Sequence, residues 1–143
     1  MTPLAIFKRQ IDQERWANAR IIDAIDKAAA EGLPEHILAQ CRAKLAHNLE
    51  AREIWLERLE SRAPTGANRF PDQPALDELR AWSDRALAEW SAYLDRADDA
   101  EIDRVVTYTV AAGGSFDTAV HDILIHAATH GFHHAGQIAM LLN

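Results

Sequence analysis

The sequence predicts an all-α fold, a four-helix bundle with a short extended or hairpin crossover between helices 3 and 4. Apolar residues recur at i, i+3 and i+4 spacing along four long segments. Breaks containing glycine or proline separate these segments, and one β-branched stretch precedes the last of them. Four amphipathic helices in 143 residues fit one domain, spanning residues 1–143, whose helices bury their apolar faces against one another.

The first two helices are predicted over residues 3–30 and 34–62. Thr2 suits the N-cap of the first helix and Pro3 its first position. The run Glu31-Gly32-Leu33-Pro34 then breaks the chain, and Pro34 begins the second helix. Each helix carries one apolar stripe, which includes Leu4, Phe7, Ile11, Ile22 and Ile25 in the first and Leu38, Cys41, Leu45, Leu49, Leu56 and Leu59 in the second.

Residues 63–74 contain three prolines and a glycine, which predicts a loop before a third helix over residues 74–97. Residues 102–110 are rich in β-branched and aromatic side chains, which favour a short extended stretch or a hairpin. Gly113 and Gly114 then predict a turn. Ser115 can cap a fourth helix over residues 116–142.

Composition excludes several functional classes. The single cysteine leaves no internal disulfide, which fits a reducing compartment. There is no secretory signal pattern and no apolar run of the ~20 residues needed to cross a bilayer, so we expect a cytoplasmic protein without a membrane partner. A net charge of −7 and the lack of a basic patch disfavour nucleic acid as a partner.

The most informative feature of the last helix is a pair of histidines within its apolar stripe. His130 and His134 are four residues apart, so their side chains lie one above the other on one face. Two imidazoles at this spacing can bind one metal ion, as in the H-x-x-x-H motif of metalloproteases. A third ligand should come from another helix, and His47 in the middle of the second helix is the candidate. The apolar members of the stripe are Phe116, Val120, Ile123, Ala127, Ile138 and Leu141.

A second interpretation makes the histidine pair core residues, hydrogen-bonded to each other or to Asn18 and Gln137. Two adjacent buried imidazoles without a metal leave donors and acceptors that are hard to satisfy, which favours the metal site. His126 and His133 flank the stripe at i−4 and i+3 from His130, and each could be a ligand, a hydrogen-bonding partner of a ligand, or polar lining. Asn18 lies on the apolar stripe of the first helix and could bind a metal-bound water or a ligand.

Several motifs resemble the DinB-like family of damage-inducible bacterial proteins, which includes the YfiT-type hydrolases. They are AHNLEAREIWL around His47, the Val-Thr-Tyr-Thr stretch with its glycine turn, and THGFHHAGQIAMLL near the C-terminus. The sequence Trp16-Ala17-Asn18 in the first helix adds support. The resemblance covers nearly the whole chain.

This resemblance implies a four-helix bundle that holds a divalent metal, zinc or nickel, through His47, His130 and His134. It also implies a metal-dependent enzyme that acts on a small molecule. The enzyme would be either a hydrolase or a thiol-dependent S-transferase that uses a low-molecular-weight thiol. The resemblance further implies a homodimer. One position departs from the family pattern, because Ala135 stands where many members have arginine.

An alternative function is a non-catalytic, metal-binding stress-response protein in which the ion is structural. An enzyme should have an open coordination position beside a pocket, whereas a structural site should have a fourth protein ligand, for which His126 and His133 are the candidates. The sequence assigns no general base. Helical geometry directs Glu50 and Glu53, which lie near His47, toward solvent.

Overall fold

The computed structural model describes residues 1–65 and 73–143, and within these ranges the fold is mainly helical with one small sheet. None of the helices in these ranges is long and apolar enough to span a membrane. The elements in chain order are α1 Pro3–Ala30, α2 Glu35–Leu59, α3 Leu76–Arg96, α4 Asp99–Asp103, β1 Val105–Thr109, β2 Ser115–Ala119 and α5 Val120–Leu142.

The ends of the first two helices follow from local chemistry. The Thr2 hydroxyl accepts a hydrogen bond from the Ala5 amide at 3.2 Å, as expected for an N-cap. After α1, Gly32 adopts a φ of +87°, a conformation that favours glycine and ends the helix. The second helix ends at Leu59 and not at residue 62, and Ser61 has a φ of 53°. The predicted loop at 63–74 lies largely outside the described residues.

The crossover before the last helix is an antiparallel hairpin, in which Val105 pairs with Ala119 and Thr109 with Ser115. The predicted start of the fourth long helix at residue 116 is therefore wrong, and α5 begins at Val120. Ser115 does not cap a helix, because its backbone belongs to the strand pair. Phe116, predicted on the buried stripe, is 49% exposed on β2.

A short helix that the sequence did not predict connects α3 to the hairpin. Its N-cap, Asp98, accepts a hydrogen bond from the Glu101 amide at 2.9 Å. The Glu101 carboxylate accepts hydrogen bonds from the Tyr93 hydroxyl at 2.6 Å and from Arg104 at 2.7 Å, and the bond from Arg104 lowers the pKa of Glu101. Arg104 also donates to the Leu59 carbonyl at 2.6 Å. The crossover is thus attached to the ends of both α2 and α3.

The long helices pack so that α1 contacts α3 and α5, while α2 contacts α5 and α3. Their buried apolar side chains form two clusters. The hairpin-end core consists of Phe7, Ile11, Leu56, Leu59, Leu87, Trp90, Tyr93, Leu94, Ile102, Val106, Val120, Ile123, Leu124 and Ala127. The far-end core consists of Ile22, Ile25, Leu38, Cys41, Leu45, Ala46, Leu49, Leu79, Trp82, Ala86 and Ile138.

Buried polar residues lie between the two cores. On α1, Glu14 and Asn18 fall between Ile11 of the hairpin-end core and Ile22 of the far-end core. We call this set the polar layer, and each of its members is at most 5% exposed: Glu14, Asn18, Asn48, Arg52 and Ser83. On α5, the same level is occupied by the histidine pair, which lies between Ala127 and Ile138 of the two cores.

Candidate metal centre

The fold brings together the three histidines that the sequence singled out. His47 projects from α2, and His130 and His134 project from the adjacent α5. One ring nitrogen of each lies within 4.8 Å of the corresponding nitrogens of the other two. His47 is exposed, whereas the other two are half-buried, so the group opens to solvent on the α2 side.

Hydrogen bonds determine which nitrogen of His130 carries the proton. The amide nitrogen of Asn48 donates to Glu14 Oε1 at 3.1 Å, so the amide oxygen of Asn48 faces His130. That oxygen lies 3.2 Å from His130 Nδ1. Because an amide oxygen only accepts, Nδ1 must be the donor, and in a neutral ring the lone pair is then on Nε2.

The same reasoning applies to His134. Lys44 Nζ lies 3.3 Å from Gln137 Oε1, and an ammonium group can only donate. Gln137 Oε1 also lies 2.8 Å from His134 Nδ1, which therefore donates to it. The lone pair of His134 is thus on Nε2 as well. Gln137, predicted as a possible partner of the site, contacts it directly.

The two Nε2 atoms face each other at 3.2 Å. With both Nδ1 atoms protonated, two lone pairs meet without a hydrogen between them. Burial, with the neighbouring His134 and His47, lowers the pKa of His130 from 6.5 to about 4, and burial also lowers the pKa of His134. A proton is therefore a poor bridge at neutral pH. A tetrahedral ion with bonds of about 2.0–2.1 Å to nitrogen separates its ligands by roughly 3.3 Å, close to this spacing.

The donor set also limits the kind of ion. The converging group in the described residues contains three imidazoles and no carboxylate, which suits zinc, nickel, copper or iron and not the oxygen-preferring magnesium or calcium. Hydrogen bonds to the remote Nδ1 atoms orient metal-ligating histidines and raise their basicity. His130 and His134 each make such a bond, donating from Nδ1 to the amide oxygens of Asn48 on α2 and Gln137 on α5 respectively.

The buried ion pair between Glu14 and Arg52 is connected to His130 through Asn48. Glu14 accepts from Asn48 and from both Nε and a terminal nitrogen of Arg52. The Arg52 guanidinium also lies over the Trp90 ring, 5.0 Å from its centroid, and Trp90 Nε1 donates to the Arg52 carbonyl at 3.0 Å. Gly131 permits this arrangement, because a Cβ there would lie 3.2–3.3 Å from the Glu14 carboxyl group.

Glu14, Asn48 and Arg52 are the site residues that the sequence analysis missed. A signal was present on α1, where Glu14 lies three residues after Ile11 and four before Asn18 on the apolar stripe. On α2, Asn48 and Arg52 are also four residues apart. Polar residues at core spacing on two neighbouring helices could therefore have been paired.

Of the other predicted site residues, His126 and His133 lie beside the triad, whereas Asn18 bonds to α3. Asn18 is buried, and its amide nitrogen donates to Ser83 Oγ on α3 at 3.0 Å. His126 and His133 are exposed beside the triad, with ring centroids 5.8 Å from His130 and 5.2 Å from His134 respectively. Neither belongs to the group whose ligand atoms converge, as far as the described residues go.

Cys41 and Glu53 differ in whether their burial was predicted. Cys41 is fully buried in the far-end core, as predicted, and burial raises the pKa of its thiol. Glu53, expected to point into solvent, is half-buried and accepts a hydrogen bond from Trp82 Nε1 at 2.6 Å.

Comparisons with known proteins give one match. Neither the curated proteins nor the solved structures contain a match to this sequence. The family model described as "DinB family", a family associated with metal binding, matches residues 7–143, which is nearly the whole chain. The chain therefore belongs to the DinB family.

Proposed function

We propose that this protein is a four-helix-bundle enzyme that binds one divalent transition ion, zinc or nickel, through His47, His130 and His134. The substrate is a small molecule, and the reaction is a thiol-dependent S-transfer or a hydrolysis. The observation that carries the metal site is the 3.2 Å approach of two imidazole nitrogens whose protons are both on the opposite side of the ring. Membership of the DinB family supports it.

A catalytic site is favoured over a structural one by the number of ligands. Structural zinc sites are closed by four protein ligands, whereas catalytic sites retain a position for water or substrate. In the described residues only three side chains converge, and the third of them, His47, is exposed. The alternative is a non-catalytic stress-response protein with a structural ion, which would require a fourth ligand such as His126 or His133.

The ion and the residues around it would have different roles in the reaction. An ion held here supplies a bound water of lowered pKa or a bound thiolate as nucleophile. Asn48 and Gln137 keep the proton on Nδ1 of His130 and His134, so that both Nε2 atoms remain available. Glu14 is unsuitable as a general base, because its carboxylate is buried and occupied by Asn48 and Arg52.

The metal site can be tested by elemental analysis of protein purified without a histidine tag. We expect about one equivalent of zinc or nickel in the wild type, because the donor set holds one ion. The His134→Ala variant should lose it, whereas His36→Ala, a histidine of the exposed first turn of α2, should retain it. Wild type that takes up neither ion after incubation with each would refute the metal site.

The reaction can be tested with the metal-loaded protein, a low-molecular-weight thiol and 1-chloro-2,4-dinitrobenzene. In this transfer the thiolate sulfur forms a bond to the ring carbon, the carbon–chlorine bond breaks, chloride leaves, and the thiol proton passes to solvent. We expect turnover that disappears on chelation and in His134→Ala. Metal-loaded protein that is inactive with thiols and electrophiles, and with ester and amide substrates, would favour the structural alternative.

A further inference from the structure

Beyond the metal centre, a row of rings runs from α5 across α2 to the hairpin. The His126 ring lies 5.8 Å from His130 and 5.3 Å from Trp55. Trp55 in turn lies 5.2 Å from Tyr108 of the hairpin, edge to face. The row therefore joins the metal centre to the hairpin through three successive ring contacts. His126 is exposed, and Trp55 and Tyr108 are half-buried, so the row is accessible to solvent.

Arg58 lies at the far end of this row. Its guanidinium carbon is 4.5 Å from the Trp55 ring centroid and 4.4 Å from the Tyr108 ring centroid. Contacts of this kind hold a planar guanidinium in one orientation. Burial lowers the pKa of Arg58 from its ordinary value, although Tyr108 and the adjacent Glu57 act in the opposite direction. The group remains ionised at neutral pH.

The donors of Arg58 are free within the part of the chain that the structure describes. No hydrogen bond or salt bridge joins its guanidinium to any described residue, and its contacts are the two ring faces. The buried Arg52, six residues earlier on α2, has donors on Glu14. An arginine that is oriented by rings, half-buried and without a salt bridge to a described residue can bind an anion without first breaking another contact.

The surrounding charge strengthens this conclusion. The chain as a whole carries −7, yet the row that begins at the histidine cluster has Lys44 near one end and Arg58 at the other. Lys44 donates to Gln137 and is in no salt bridge with a described residue. Each end of the row of rings therefore has a cation without a salt bridge to a described residue.

We propose that Arg58 is an anion-binding subsite that takes the carboxylate of an elongated small molecule whose other end reaches the metal centre. This inference rests on the proposed function and specifies its substrate class as a carboxylate-bearing thiol. The planar guanidinium fork matches a carboxylate with two parallel hydrogen bonds. The row of rings between Arg58 and His130 supplies an apolar wall for the body of the molecule.

The test measures binding of 11-mercaptoundecanoic acid to cobalt-substituted protein, in which thiolate coordination changes the visible spectrum. This probe is suitable because its thiol and carboxylate stand at opposite ends of a long chain, whereas His47 and Arg58 on α2 are separated by a helical rise of roughly 16 Å. Its methyl ester keeps the thiol but lacks the carboxylate. We expect wild type to bind the acid at least about tenfold more tightly than the ester. Arg58→Gln should lose this preference, and Arg58→Lys should keep part of it.

The matched control is Arg80→Gln, which makes the same change of charge on α3, where Arg80 pairs with Asp23 of α1 at 2.7 Å. It should bind both ligands as wild type does. Metal-loaded wild type that binds both ligands equally or neither, or an Arg58→Gln variant that keeps the preference, overturns the subsite and leaves the metal site standing. Failure to bind cobalt at all overturns both.

Discussion

The polar layer and the two apolar cores occupy the same interior but depend on different kinds of interaction. Each core is stabilised by burial of leucine, isoleucine and tryptophan side chains, which requires volume and not direction. The polar layer depends on directed hydrogen bonds, since Glu14 engages Asn48 and Arg52, and Asn48 engages His130. Substitutions in the cores should change stability alone, whereas those in the layer should also change the metal centre.

The largest effect is expected when Glu14 is removed. Glu14→Ala leaves the buried Arg52 charge and the Asn48 amide without their acceptor, which should lower the free energy of unfolding by about 3–5 kcal/mol. Leu45→Ala in the far-end core should cost about 2–5 kcal/mol. Urea denaturation measures both costs. Metal affinity should fall in Glu14→Ala and remain in Leu45→Ala.

The double variant Glu14→Leu with Arg52→Met sharpens this comparison, because it removes both buried charges together. Replacing a buried pair with apolar residues is often neutral for stability. We expect the double variant to be more stable than Glu14→Ala while still binding metal poorly, since Asn48 has lost the group that orients it. Wild-type metal affinity in this variant would show that the buried pair has only a structural role.

The next effect concerns the acceptor for His130. Asn48→Leu removes the oxygen that holds the proton on Nδ1, and we expect metal affinity to fall by about 10–100-fold. Asn18→Leu removes a polar-layer hydrogen bond to Ser83 and should cost about 1 kcal/mol of stability without this loss of affinity. Competition titrations with a metal indicator measure the affinities. Equal losses in both variants would mean that any disturbance of the layer weakens the site.

Two glycines of α5 should respond in opposite directions to alanine. At Gly131 the added Cβ would lie 3.2–3.3 Å from the Glu14 carboxyl group, which cannot retreat because Arg52 and Asn48 hold it. We expect a loss of about 1–2 kcal/mol, despite the better helix propensity of alanine. Gly136 has no atom within 4 Å of the added Cβ, so Gly136→Ala should gain up to about 1 kcal/mol. Thermal melts distinguish the two, and a stabilised Gly131→Ala would show that the layer adapts.

The last prediction concerns the pH dependence of the metal-free protein. The pKa of His130 is about 4 in the folded chain against an ordinary 6.5. Between these values the unfolded chain binds a proton that the folded chain does not, so the free energy of unfolding should fall as the pH drops through this window. Above pH 6.5 this histidine contributes no pH dependence. Urea titrations of His130→Gln should show a weaker decline than wild type, and parallel profiles would contradict the assignment.

The cores were predictable from the sequence because leucine and isoleucine at i, i+3 and i+4 spacing indicate a buried helix face. The same reasoning failed at the hairpin. Phe116 and Val120 are four residues apart, so a strand residue followed by a helix residue reproduced the helical spacing by chance. The order of strand and helix there depends on pairing with β1, which is a contact between separate segments.

The candidate site likewise contains residues that the sequence indicated and residues that only the packing of the helices reveals. His130 and His134 could be selected because two imidazoles at ligand spacing within one helix are unusual, and His47 because it lies in the middle of a second helix. Glu14 and Arg52 were not selected, because single charged residues on a helix usually face solvent. Only the packing of α1 against α2 and α5 shows that they neutralise each other in the interior.

The attachment of Arg104 to the end of α2 has a consequence for how ligands bind. Arg104 directly precedes β1 and donates to the Leu59 carbonyl of α2, so Tyr108 on β1 is held near Trp55 on α2, the other ring that orients Arg58. The surface formed by these rings is therefore ordered before a ligand binds, and binding would cost little free energy for ordering a loop. Association would not wait for a lid to close, and ligands of different affinity should differ mainly in how fast they leave.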